Sequence, residues 1–318
     1  MKGYQMAVVG IGAIGSVLAA ALLSKHPETI LVGHRPETGA ALKERGITIS
    51  GVLNYQVPVK NYIHTLSDLQ TKGPLILFLC TKTFHLESLL EELQKTGVAN
   101  TKIVSTHNGL GTEDVIAEKF GADTAFRMSM NYGASIKRAG EVGVTFFNRP
   151  NHIGCLTPDN RDLGSELAKE LSDCGLDTLH VEDIKQFVWK KMIMKCTMAS
   201  ICAVTDRPIR ECLELPPLRE IADACFQEAL AVAKAEGYDL GPDYLAQALG
   251  YLDKVGQHKD SMCFDIENHT RTEIDFLGGK VVDYGRKHGI STPYYIAMTN
   301  LVRAMQDAYL NPSSAPTQ

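Results

Sequence analysis

The sequence predicts an α/β chain in two parts: an N-terminal doubly wound parallel sheet over residues 1–182 and a C-terminal all-helical domain over residues 183–318. Three observations carry this prediction. Short apolar runs alternate with helix-length segments through the first part, strand patterning almost vanishes after Ile184, and Gly10, Gly12 and Gly15 fall between the first apolar run and the segment after it. At 318 residues the chain also exceeds what one core usually serves, since domains run to roughly 100–200 residues.

Met6-Ala7-Val8-Val9 has the unbroken apolar character of a buried strand, Ala13 to Lys25 reads as a helix and Thr29 to Val32 as a second strand, which together make a βαβ unit. Taken whole, Met6 to Leu23 is apolar enough to resemble a signal peptide or a membrane helix. The glycine spacing favours a strand that turns into a helix. Further runs at Leu75 to Cys80 and Lys102 to Ser105 precede helical patterns at Phe84 to Gln94 and Thr112 to Phe120. Between Thr124 and Thr157, β-rich pieces separated by Gly-rich turns predict antiparallel strands closing the sheet, and a helix at Asp162 to Asp173 and a strand at Thr178 to Val181 complete the domain. The helical domain is expected to hold helices at 184–203, 216–236, 242–255, 273–288 and 293–309, with a tail from about Asn311.

Composition narrows the classes of function. With 44% hydrophobic and 22% charged residues the chain has ordinary globular composition, and a net charge of −5 supplies no general attraction for nucleic acid or anionic lipid. The expected partner is a small molecule. Eight cysteines without a CxxC pair read as reduced, mostly buried thiols of a cytoplasmic protein, with no metal site expected.

Gly10-Ile11-Gly12-Ala13-Ile14-Gly15 fits GxGxxG in the context that gives the pattern meaning, after a strand and opening a helix. The first glycine permits the turn, the second lets backbone approach a pyrophosphate, and the third allows close helix–strand packing. This is the fingerprint of a Rossmann-type dinucleotide site; a methyltransferase loop, or glycines serving packing alone, are the alternatives. NAD enzymes usually place Asp or Glu at the end of the second strand to bind the ribose hydroxyls. Here the sequence is Val32-Gly33-His34-Arg35, and a guanidinium at this place suits the 2′-phosphate of NADP. An ordinary surface arginine is the plainer reading.

The helix at 184–203 carries lysines on two faces. Asp183, Gln186, Lys190 and Thr197 fall on one side, the expected solvent stripe, whereas Lys191 and Lys195 fall toward Ile184, Val188, Met198 and Cys202. Lysines on an apolar face either snorkel or meet a partner, so these two are candidate site residues. Burial and a like charge one turn away both lower a lysine pKa toward the range useful for general acid catalysis. Glu273 is the candidate counter-charge, although its position also suits an exposed first helical turn.

Over almost its whole length the chain resembles the ketopantoate reductase (2-dehydropantoate 2-reductase) family. The resemblance is carried by the glycine loop, Thr81-Lys82, His107-Asn108-Gly109-Leu110-Gly111, Trp189-Lys190-Lys191, Ser261-Met262 with Asp265-Ile266, and Thr272-Glu273-Ile274-Asp275. It implies NADPH and a 2-oxo acid meeting in a cleft between two domains, a homodimer, and a place in pantothenate and coenzyme A biosynthesis. By position it implies that Lys191 protonates the ketone oxygen and Glu273 accepts from the substrate hydroxyl. Ser261 would hold the carboxylate and Asn108 orient nicotinamide and carbonyl, with Lys82 and Arg35 serving the cofactor. Two positions depart from the pattern: Lys195 and Ala199 stand where the family often has asparagine, which keeps open a reductase of another branched 2-oxo acid. Lys195 is expected to attract the substrate carboxylate beside Ser261 and to hold down the pKa of Lys191. A non-catalytic NADP-binding redox sensor is the reading from another class.

Overall fold

The computed structural model describes residues 3–71, 73–255 and 257–312. The expected tail from Asn311 lies outside them beyond residue 312. Two compact units are present: one holds residues 1–107 and 111–185, the other 108–110 and 186–318.

The first unit begins with β1 (Gln5–Val9), α1 (Ala13–Lys25) and β2 (Ile30–Val32), followed by α2 (Pro36–Arg45) and the short strands β3 (Ile47–Gly51), β4 (Tyr55–Val57) and β5 (Asn61–Ile63). It continues through β6 (Leu75–Leu79), α3 (Leu86–Thr96), β7 (Thr101–Ser105), α4 (Thr112–Phe120) and β8 (Ala125–Ser129). The hairpin β9 (Tyr132–Arg138) and β10 (Glu141–Phe147), then β11 (Asn151–Cys155), α5 (Arg161–Asp173) and β12 (Thr178–His180), complete it. Eight strands form one sheet in the order β12-β11-β8-β7-β6-β1-β2-β5. From β5 to β8 it is parallel in the doubly wound 3-2-1-4-5-6 arrangement.

Antiparallel closure of this sheet is confined to β11 against β8. The β9–β10 hairpin instead joins β3 and β4 in a separate four-stranded sheet, which the sequence pattern does not reveal. Helix α1 packs between the two sheets, and Val17 to Leu22 are wholly buried. That explains the membrane-like run: a helix covered on every side has no polar face to spare. Among the described residues no helix is long and apolar enough to cross a membrane.

The second unit is helical: α6 (Ile184–Thr205, entering from the first unit), α7 (Ile209–Glu214), α8 (Pro216–Ala235), α9 (Tyr244–Val255), α10 (Ser261–Glu267), α11 (Gly278–His288) and α12 (Pro293–Leu310). The expected helix from 273 starts five residues late, because residues 274–276 form a short 3₁₀ turn first. The expected solvent stripe on α6 is not open either. Thr197 is fully buried and its hydroxyl lies 2.8 Å from that of Tyr295. Trp189 is buried too, against the rings of Tyr238 and Tyr284.

Candidate active site

In the first unit the candidate residues gather where the strand order reverses, at the ends of β1 and β6. Gly10 has φ +91°, and a Cβ there would lie 2.7 Å from Thr81 Cγ2, so the glycine loop and the Thr81-Lys82 loop approach at van der Waals distance. A Cβ on Gly15 would collide with the Gly10 carbonyl, which fixes the loop against α1. Gly12 is different: a Cβ there meets nothing within 4 Å. It is the N-cap of α1, with no capping side chain and no acid in the first turn. Open space before uncapped helical amides at a topological switch point suits a pyrophosphate. Ile11, Ala13 and Ile14 complete the loop and pack on the sheet core.

Arg35 follows β2 as the N-cap residue of α2 and its side chain is exposed. The Tyr62 hydroxyl donates to the carbonyls of Gly33, at 2.8 Å, and Arg35, at 3.3 Å, which holds this turn in place. Lys82 is half-buried at the head of the turn leading to α3.

Beneath these loops lies a buried polar network that the sequence reading did not anticipate. Arg127, 1% exposed on β8, donates to Ser105 Oγ at 2.8 Å, to the His107 carbonyl at 2.6 Å and to Thr112 Oγ1, with Glu113 Oε2 3.7 Å from its Nε. Burial opposes the Arg127 charge and Glu113 partly restores it. The His107 ring spans Ser105 Oγ at 3.0 Å and Thr81 Oγ1 at 3.2 Å. Burial first, then Arg127 and His85, pushes the imidazole pKa down to about 3, so the ring is neutral at physiological pH. The residue preceding Asn108 is thereby clamped through its ring and its carbonyl. An arginine inside the apolar strand Ala125-Phe126-Arg127-Met128 was the available signal.

In the second unit, Asn108 Oδ1 accepts from Lys191 Nζ at 3.0 Å, and Leu110 N donates to the Phe276 carbonyl at 3.2 Å. Segment 108–110 is thus held by α6 on one side and by the turn after Glu273 on the other. That turn is pinned to α12: Thr272 Oγ1 donates to Gln306 Oε1 at 2.8 Å and Arg303 pairs with Asp275. Glu273 stands half-buried between these anchors. Lys190 turns away from Lys191, its Nζ 5.5 Å from the Phe187 ring centre.

Lys195 departs from the expected like-charge pair. Its counter-charge is Asp260 rather than Glu273: Nζ lies 2.7 and 2.6 Å from the Asp260 oxygens and 2.8 Å from Ser261 Oγ. Asp260 is buried and also caps α10, accepting from Met262 N at 2.9 Å. It was missed because the seven-residue α10 shows too little periodicity to be read as a helix, though Asp before Ser-Met is a capping signal. Ala199, the other departure, is fully buried.

A glycine loop at the switch point of a 3-2-1-4-5-6 sheet is the geometry of the dinucleotide-binding α/β class. The family model described as "Ketopantoate reductase PanE/ApbA" matches residues 6–158, and its C-terminal counterpart matches residues 183–306. The chain belongs to the ketopantoate reductase family, whose members are nicotinamide-dependent oxidoreductases acting on 2-oxo acids. It is 28% identical over 306 residues to a 2-dehydropantoate 2-reductase of Streptococcus pyogenes serotype M18, covering 96% of this chain and 98% of that one. To the enzyme of the same name from Pyrococcus horikoshii it is 27% identical over 314 residues, covering 96% and 98%. Among solved structures, D-mandelate dehydrogenase with NADH and anilino(oxo)acetate superposes with a TM-score of 0.86 at 24% identity, covering 96% and 99%.

Proposed function

We propose that this protein reduces a 2-oxo acid to the 2-hydroxy acid with NADPH, and that the acid is 2-dehydropantoate, giving pantoate for pantothenate and coenzyme A synthesis. The observation that carries the reading is the hydrogen bond from Lys191 to Asn108, which fixes the Lys191 ammonium against the asparagine of the His-Asn-Gly motif. In this reading residues 1–182 bind the cofactor through Gly10 to Gly15, Arg35 and Lys82, and residues 183–318 bind the substrate. NADPH supplies the hydride that reaches the ketone carbon. Lys191 gives its Nζ proton to the ketone oxygen and regains one from solvent. Asn108 Oδ1 is occupied by Lys191, which leaves the amide N–H groups to donate to carbonyl oxygen. Glu273 accepts from the substrate hydroxyl, and Ser261 donates to the carboxylate.

Two observations favour another branched 2-oxo acid as a second reading: Lys195 and Ala199 replace family asparagines, and a structural neighbour is a mandelate dehydrogenase. NADPH rather than NADH is supported by exposed Arg35 and the absence of an acid directly after β2, although that neighbour is described with NADH. A cytoplasmic homodimer is supported by eight cysteines outside any disulfide and by exposed Tyr294, Ile296 and Leu301 on α12, apolar surface that a second copy would cover. The test is incubation with NADPH or NADH and a panel of 2-oxo acids, followed by loss of reduced-nicotinamide absorbance. Turnover of 2-dehydropantoate above the other acids supports the reading; cofactor binding with no turnover of any acid replaces it with the redox sensor.

A further inference from the structure

We propose that Lys195 and Asp260 work as one neutral pair that sets specificity: together they hold the Ser261 hydroxyl as a donor to a single carboxylate, and Asp260 excludes 2-oxo acids bearing a second carboxylate. The inference rests on the 2-oxo acid reading and deepens it by naming the residues that set specificity at that site.

Lys195 lies one turn beyond Lys191 on α6, about 5–6 Å away between Cβ atoms, so whatever acid Lys191 protonates is within reach of the Lys195 surroundings. An ammonium has three N–H donors and no acceptor. Here three acceptors surround it, Asp260 Oδ1 at 2.7 Å, Asp260 Oδ2 at 2.6 Å and Ser261 Oγ at 2.8 Å. The Ser261 oxygen therefore accepts a hydrogen bond from Lys195, and its own O–H is left to donate elsewhere. Ser261 is exposed whereas Asp260 is 6% exposed, so the hydroxyl is the member of the trio presented to a ligand. A carboxylate is acceptor-only and matches that donor. Lys195 is then a positioning residue acting through Ser261.

The pair also decides what the rest of the substrate is. A bare lysine one turn from the general acid would welcome a second carboxylate. With Asp260 in contact the local charge sums to zero, and the aspartate oxygens repel a further anion drawn toward Nζ. The acid accepted is a 2-oxo monocarboxylate with an uncharged side chain.

Asp260→Asn separates these roles. Asparagine caps a helix as well as aspartate does and keeps an acceptor for Met262 N, yet it uncovers the Lys195 charge. Steady-state kinetics and calorimetric binding are measured with 2-oxoisovalerate and 2-oxoglutarate for the wild type, Asp260→Asn and Lys195→Met. The wild type should favour the monocarboxylate. Asp260→Asn should raise the dicarboxylate-to-monocarboxylate ratio of kcat/KM by roughly tenfold or more, through KM and more at low salt, as expected for one charge-assisted contact. Lys195→Met, which leaves the aspartate uncompensated and frees Ser261 to turn toward it, should raise KM for the monocarboxylate and lower that ratio further. An unchanged ratio in folded Asp260→Asn, or a raised one in Lys195→Met, overturns the proposal. If the wild type neither binds nor turns over any 2-oxo acid, the functional reading fails and this inference goes with it.

Discussion

Replacing His107 with glutamine should remove a specific pH dependence from the stability of the first unit. The imidazole, 4% exposed between Thr81 and Ser105, has its pKa pushed down to about 3, whereas in an unfolded chain it titrates near 6.5. As pH falls through that window the unfolded chain takes up a proton that the folded one refuses. Stability is therefore full above pH 6.5 and declines as pH drops toward 3, at a limiting slope of about 1.4 kcal/mol per pH unit. Between pH 7 and pH 5 this single group accounts for a loss of about 2 kcal/mol. His107→Gln keeps a donor and an acceptor but cannot titrate. It lowers stability at pH 7 by roughly 1–3 kcal/mol through imperfect hydrogen bonds, so the slope is the readout rather than the offset. Urea unfolding followed by circular dichroism at a series of pH values measures it in both proteins. Parallel curves for the two, or a wild-type imidazole resonance titrating near pH 6.5, would refute the argument.

Lys191→Ala should lower kcat by roughly 10²-fold or more while the affinity for NADPH holds, the usual contribution of a general acid; Lys190→Ala should be nearly silent, and equal effects in kcat would sink the assignment. Gly12→Ala and Gly15→Ala should part company in cofactor titrations and thermal melts. A methyl on Gly12 enters open space, so Gly12→Ala folds but binds dinucleotide poorly, whereas Gly15→Ala meets the Gly10 carbonyl and lowers the melting temperature. Arg35→Ala should weaken NADPH binding by about 1–3 kcal/mol and leave NADH nearly untouched; equal wild-type affinities for the two cofactors would contradict that role for Arg35.

The alternation of strands and helices was legible because each βα pair is local in sequence. The second sheet was not, since β3 and β10 pair across some ninety residues and no periodicity announces that partnership. On α6, Lys191 and Lys195 are half-buried and meet Asn108 and Asp260. The opposite stripe was misjudged because Thr197 is polar yet satisfied inside by Tyr295. Motif positions brought the candidates to notice, but what surrounds them is tertiary: Asp260 reaches Lys195 across 65 residues and Arg127 reaches Ser105 across 22. Polar groups that neutralise one another in a core leave no pattern along the chain.

The assignment of residues 108–110 to the helical unit means the polypeptide passes between units three times, after His107, after Leu110 and after Lys185. A gene cut at Lys185 would therefore not yield two interchangeable modules. The helical fragment would lack the tripeptide that Lys191 and Phe276 hold, and the other would carry it without those partners. Swapping the helical part between relatives should succeed only when the His-Asn-Gly segment travels with it. During synthesis that segment leaves the ribosome long before its anchors do, so it stays unfinished until the last helices fold.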